Sequence, residues 1–133
     1  MKNAIDEKFC EHIAKLFYAI ACVDKRIEKV EYDVFKSKMK SIDELFNYSE
    51  LKVDVDMYYH ITSTFNMLYL NQFKSHQCFE DFIFYLKNNS HQFPKSVRII
   101  LLKIAGQIAA SYSGQNKSEL IFLAKLSIEF KKL

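Results

Sequence analysis

Leu16-Phe-Tyr-Ala-Ile-Ala-Cys-Val-Asp24-Lys-Arg-Ile-Glu28-Lys-Val-Glu31 and Ile104-Ala-Gly-Gln-Ile-Ala-Ala-Ser-Tyr112-Ser-Gly-Gln-Asn116-Lys-Ser-Glu119 read as one pattern written twice. With Glu31 set on Glu119, Ile20 falls on Ile108, Ala21 on Ala109 and Lys29 on Lys117. Each copy gives an apolar, alanine-bearing helix, a short polar turn and a second helix that opens on a carboxylate. A repeated helical hairpin predicts an all-α fold with approximate two-fold symmetry. The repeat speaks to architecture and supplies no reaction.

Composition agrees with helices. The chain of 133 residues has the length of one domain, 1–133, and can bury a core without staples. Two glycines and one proline leave too little turn vocabulary for a sandwich or barrel, which favours about six to eight helices joined by short connections. A net charge of +3, with acids and bases alternating through most segments, describes a solvated surface rather than a one-sided basic face. Cys10, Cys22 and Cys78 form no paired spacing, which suits a reducing compartment. Charged residues interrupt the N-terminal segment, and the longest apolar run, Leu16 to Val23, is too short to span a bilayer. The expectation is a cytoplasmic bacterial protein without membrane insertion.

Periodicity places the remaining elements. Ile5, Phe9, Ile13, Leu16, Phe17 and Ile20 recur at three- and four-residue steps, giving a helix from about Ala4 to Cys22. A second helix covers about Lys29 to Lys40, with Val34, Phe35 and Met39 inward. Ser41-x-x-Glu44 has the capping-box pattern and opens a short helix. The stretch from Tyr58 to Phe65 would suit a strand by propensity, but no partner strand is evident. A helix capped by Asp54 or Asp56 is therefore favoured. Phe79, Phe82, Ile83 and Leu86 mark another stripe that starts near Ser75. Pro94 fits the first position of a helix running towards Gly114. That helix is apolar nearly all round and is expected to be central, with Gly106 admitting a close neighbour. Asn116-x-x-Glu119 opens the last helix, through Phe130.

The two hairpins resemble the TerB-like family, which includes tellurite-resistance TerB proteins and the N-terminal domain of a membrane-anchored DnaJ-type co-chaperone. Ala21, Asp24, Ile27 and Glu31 sit at the positions of the family's Ala-x-x-Asp-Gly-x-Ile/Val-x-x-x-Glu stretch; Ala109, Gly114 and Glu119 match it loosely in the second half. The region between Lys40 and Lys74 lies outside the resemblance. It implies a pseudo-symmetric helical domain, a stress-related binding or scaffold role linked to the cell envelope, and acidic residues of both halves associated with a divalent metal. The chain departs from the pattern at Lys25, where the family has Gly, and at Tyr112 or Ser113, where it has the second Asp.

Asp24, Glu28, Glu31 and Glu119 are the residues that could offer carboxylate oxygens to Ca²⁺ or Mg²⁺, although their spacing is not that of an EF-hand loop. Glu31 and Glu119 also stand at the third helical position, where a carboxylate caps the backbone, and this structural reading weighs more. Ile27, a lone apolar residue in a polar turn, reads as a plug into the core. His12, His60, His76 and His91 show no ligand spacing, the cysteines have no histidine partner, and neither a phosphate loop nor a dinucleotide fingerprint occurs, so no enzyme is expected. Lys25, Arg26 and Lys29, and Lys36, Lys38 and Lys40, are basic clusters interleaved with acids; a nucleic-acid role is not expected.

Tyr58, Tyr59, Tyr69, Phe84 and Tyr85 belong to an aromatic crowd larger than one stripe per helix can bury. A large aromatic core accounts for most of it; the remainder would form a partner or homodimer surface. The expected function is that of a non-enzymatic binding module with an unidentified protein partner. A divalent-cation sensor and a small helical immunity-type protein that blocks a toxin are the alternatives.

Overall fold

The computed structural model describes residues 4–22, 27–111 and 117–133, with the side chains of 4–22, 27–110 and 120–133. Among them seven α-helices occur: α1 (Glu7–Ala21), α2 (Lys29–Met39), α3 (Ile42–Asn47), α4 (Met57–Leu70), α5 (Ser75–Asn88), α6 (Lys95–Ser111) and α7 (Lys117–Lys131). The all-α class and the helix count follow the sequence reading. Two unanticipated two-residue strands, β1 (Ala4–Ile5) and β2 (Lys52–Val53), pair in parallel, Ala4 opposite Lys52 and Ile5 opposite Val53. They shorten the first helix at its start. Asp6 is its N-cap, accepting from the Phe9 N–H at 2.8 Å.

The most enclosed helix is α1 rather than α6. Ten of its fifteen residues are buried, and it packs against α4, α5, α6 and α7. The reason is packing geometry: α1 carries small Ala14, Ala19 and Ala21 among large Phe9, Leu16 and Phe17, so neighbours approach it from several sides. The α6 helix keeps one buried stripe, Val97, Leu101, Ile104, Ala105, Ile108 and Ala109, while Ile99 is exposed. A Cβ built at Gly106 meets nothing within 4 Å, so this glycine does not serve a close helix contact. On α2, Phe35 and Met39 are buried as expected, whereas Val34 is exposed.

Consecutive helices stand at both copies of the repeat, α1 with α2 and α6 with α7, but the copies pack differently. α6 packs along α7, while α2 leans on α4 and α6. Arg98 ties the second pair together by donating from Nη1 to the Phe130 carbonyl at 3.0 Å, a cation at a helix C-terminus. Ile27 is buried at the end of the first turn, as its plug role requires. Gln115, its counterpart, and the caps at Gly114 and Asn116 lie outside the described residues. The buried apolar side chains form one continuous core, in which Phe35 stacks on Phe65 at 4.0 Å and Phe9 meets Phe93 at 5.3 Å. Each such side chain removed from water contributes about 1.5–3 kcal/mol before entropy is set against it.

Two helix ends show how local chemistry differs from a motif match. Ser41 precedes α3 but makes no side-chain cap bond, so the Ser41-x-x-Glu44 box is not formed. Asp43 instead reaches across to α4, accepting from the Met57 N–H at 2.9 Å and the Tyr58 N–H at 3.0 Å. Asp56 caps the same helix by accepting from the Tyr59 N–H at 2.9 Å. At the other end of α4, Gln72 has φ 52°, and the N–H groups of Gln72 and Phe73 donate to the carbonyls of Tyr69 and Leu68. That is a Schellman ending with glutamine in the left-handed position usually held by glycine.

Candidate functional site

The acidic turn is the first candidate. Glu28 precedes α2 as its N-cap, and its N–H donates to the Glu31 carboxylate at 2.8 Å in a capping box. These two carboxylates therefore serve the positive end of α2, the structural role that the sequence favoured for Glu31 and did not anticipate for Glu28. Asp24 and the side chain of Glu119 lie outside the described residues. Among the described residues no group of three or more His, Cys, Asp or Glu side chains is placed to hold a metal ion.

Burial governs two of the thiols, Cys10 and Cys78, and one imidazole, His12. Burial, with the Asp43 and Asp6 carboxylates adding to it, pushes the Cys10 thiol from 9.0 up to about 12. Burial pushes Cys78 up to about 11. Neither would be a thiolate near neutral pH. His12 lies flat on the Tyr85 ring, centroids 4.0 Å apart and planes 10° apart, with Nδ1 2.9 Å from the Lys8 carbonyl. Burial pulls its imidazole below 6.5. His60 and His76 stand 3.6 Å and 3.5 Å from Glu7 and Glu80.

The five aromatic residues expected on one surface are divided among three environments. Tyr85 is buried, and this is a correction: its hydroxyl donates to the Gln92 side chain, whose Nε2 donates to the Ala4 carbonyl at 3.2 Å. The extra polar tip found a partner inside, so the ring could enter the core. Tyr58 and Tyr69 are half-buried. Tyr69 stacks on Tyr32 at 5.8 Å and donates its hydroxyl to the Ile27 carbonyl at 3.0 Å, which fastens the first turn to α4. Tyr59 and Phe84 are exposed, on α4 and α5 respectively. The aromatic crowd is thus mostly core, with Phe84 the large ring left outside α5.

Phe84 stands between two hollows and lines both. One is a polar cleft of about 610 Å³ where β1 and α1 meet the end of α5, walled by Asp6, Lys8, His12, Asp54 and Tyr85. The other is a groove of about 480 Å³ between α5 and α7, floored by Phe79, Ile83 and Ile128 and rimmed by His76, Glu80 and Lys87 on α5 and by Lys125 and Glu129 on α7. Beneath it Phe79 of α5 stacks on Phe122 of α7 at 4.5 Å. Ile128 is 55% exposed although Phe122, Leu126 and Phe130 already supply the buried stripe of α7. Ile128, off the buried stripe of α7, was the sequence signal for this groove, and the reading of the aromatic residues alone missed it.

Of the basic clusters, Lys25 and Arg26 lie outside the described residues, Lys29 and Lys40 are exposed, and Lys36 and Lys38 are half-buried. Lys29 sits 3.7 Å from Asp33, and the Lys36 ammonium lies 5.7 Å from the Tyr32 ring centroid. No helix among the described residues is long and apolar enough to cross a membrane. Comparison of the chain with family models, with curated proteins and with solved structures returns no match.

Proposed function

We propose that the protein is a non-enzymatic binding module that docks a protein partner on the groove between α5 and α7. The observation that carries this reading is Phe84, a phenylalanine 72% exposed on a helix whose other aromatic side chains are buried. A ring of this size left in water forgoes burial energy on the order of 2 kcal/mol. It sits beside further exposed apolar surface at Ile128, rimmed by charges, the pattern of a contact surface. The protonated thiols and the stacked His12 favour binding over catalysis. The TerB-like scaffold role in stress and at the envelope draws its support from the residues of the first turn, with buried Ile27 at its end.

The test is a photo-crosslinking amino acid placed at Phe84 or Ile128 in the producing cell, with Tyr48, 82% exposed, as the control position. Protein crosslinks from positions 84 and 128 and none from 48 are expected. No adduct from the groove, or equal adducts from all three positions, would overturn the reading.

A further inference from the structure

We infer that the partner on this groove is a second copy of the chain, paired about a two-fold axis near Phe84 with the two α5 helices antiparallel. The inference rests on the binding-face reading and names its occupant.

Shape is the first support. Phe84 is both a wall of the groove and a knob standing out from its rim, so one patch carries projection and recess together. A two-fold contact uses the same patch on both partners and needs that self-complementarity. Each Phe84 would cover the Ile83 and Ile128 of the other copy. Ile121, 49% exposed and two helical turns before Ile128, continues the apolar strip along α7.

Charge order along α5 favours one direction. Along α5, Glu80 lies one turn before Phe84 and Lys87 nearly one turn after it, both on the groove. An antiparallel approach centred on Phe84 exchanges these turns, so Glu80 of each copy meets Lys87 of the other, twice. A parallel approach would set like charges together. Both side chains are available: that of Glu80 is 64% exposed with His76 at 3.5 Å, and that of Lys87 is 59% exposed with Glu129 at 3.9 Å. Glu129 retains Lys132 at 3.6 Å when Lys87 turns outward. Exposed intrachain pairs of this kind contribute little and do not compete strongly with a partner.

The experiment is sedimentation velocity of the full chain from roughly 5 to 500 µM, the range in which small protein interfaces associate. The wild type is expected to pass from monomer to dimer. Glu80→Lys sets two lysines against each other at both ends of the contact, and Lys87→Glu does the same with two glutamates. Each variant alone should self-associate about tenfold or more weakly. Their equimolar mixture pairs opposite charges at both ends and should recover the dimer, which a misfolded variant could not do. Phe84→Glu should abolish association while leaving the circular dichroism spectrum intact.

A wild type that stays monomeric over the whole range overturns the inference, as do charge variants that pair like the wild type or a mixture no better than its components. Monomeric wild type together with groove crosslinks to another protein would sink self-pairing and leave the binding face standing. Absence of both would sink the two readings together.

Discussion

Asp43 caps a helix to which it does not belong: its carboxylate oxygens accept from the backbone N–H groups of Met57 at 2.9 Å and Tyr58 at 3.0 Å. Fourteen residues and the β2 segment separate the two ends of this bond. α3 and the start of α4 are thereby held together by a charge-assisted pair of hydrogen bonds. Asp43→Ala should cost about 2 kcal/mol in urea unfolding. Glu44→Ala, in the box that does not form, should stay within about 0.5 kcal/mol. Equal effects would mean that the cross-helix cap contributes nothing.

Gln72 offers a stabilising change. Its φ of 52° suits glycine, and its side chain is exposed. Gln72→Gly should relieve the left-handed strain and raise stability by about 0.5–1 kcal/mol. A fall in the thermal midpoint would show that the glutamine side chain compensates in the native state.

The buried bond from Tyr85 to Gln92 predicts a loss without a cavity. Tyr85→Phe keeps the ring against His12 and Phe93 but leaves the Gln92 side-chain oxygen without its donor. The cost should be about 1–3 kcal/mol, the penalty for an unsatisfied buried acceptor. Asn88→Ala, at an exposed position nearby, is the control and should be near neutral.

His12 gives a pH dependence with a defined sign. Burial holds the folded imidazole below its unfolded value of 6.5, so the unfolded chain takes up the proton first. The stability that His12 contributes is intact above 6.5 and is lost as pH falls from there through the folded value. His12→Phe keeps a ring on Tyr85 and removes the titration. Between pH 7.5 and 5 the wild type should lose more stability than this variant; parallel curves would exclude His12 as the source.

Thiol labelling reads the core directly. With Cys10 near 12 and Cys78 near 11, and both buried, a disulfide reagent at pH 8 should modify half-buried Cys22 and spare the other two until unfolding. The alkaline sign is the reverse of the acid one. These raised values contribute stability that is full below 9.0 and lost as pH climbs through the folded values. Three equally fast thiols in the folded protein would contradict the burial of α1 and α5.

The elements whose periods are strong were legible in the sequence: the α1 and α5 stripes and the buried Ile27 stand where spacing put them, the start of α4 was narrowed to Asp54 or Asp56, and the structure chose Asp56. The helix class follows because 3.6-residue periodicity and scarce glycine are local properties. Which helix is central was not local. α6 is the more uniformly apolar, yet α1 takes the middle because its alanines admit four neighbours, a consequence of packing between segments far apart in sequence. Asp43 shows the same limit, since its motif pointed to its own helix and its oxygens reached another.

The candidate site divides along the same line. By itself, the sequence determined that aromatic side chains outnumber the places one stripe per helix can bury, because that surplus is a count along each helix. Only the tertiary structure decided which ring stays outside. Tyr85 found Gln92 and the Ala4 carbonyl beyond it and went in; Phe84, one residue earlier and about 100° round the helix, stayed 72% exposed at the edge of the α5–α7 groove.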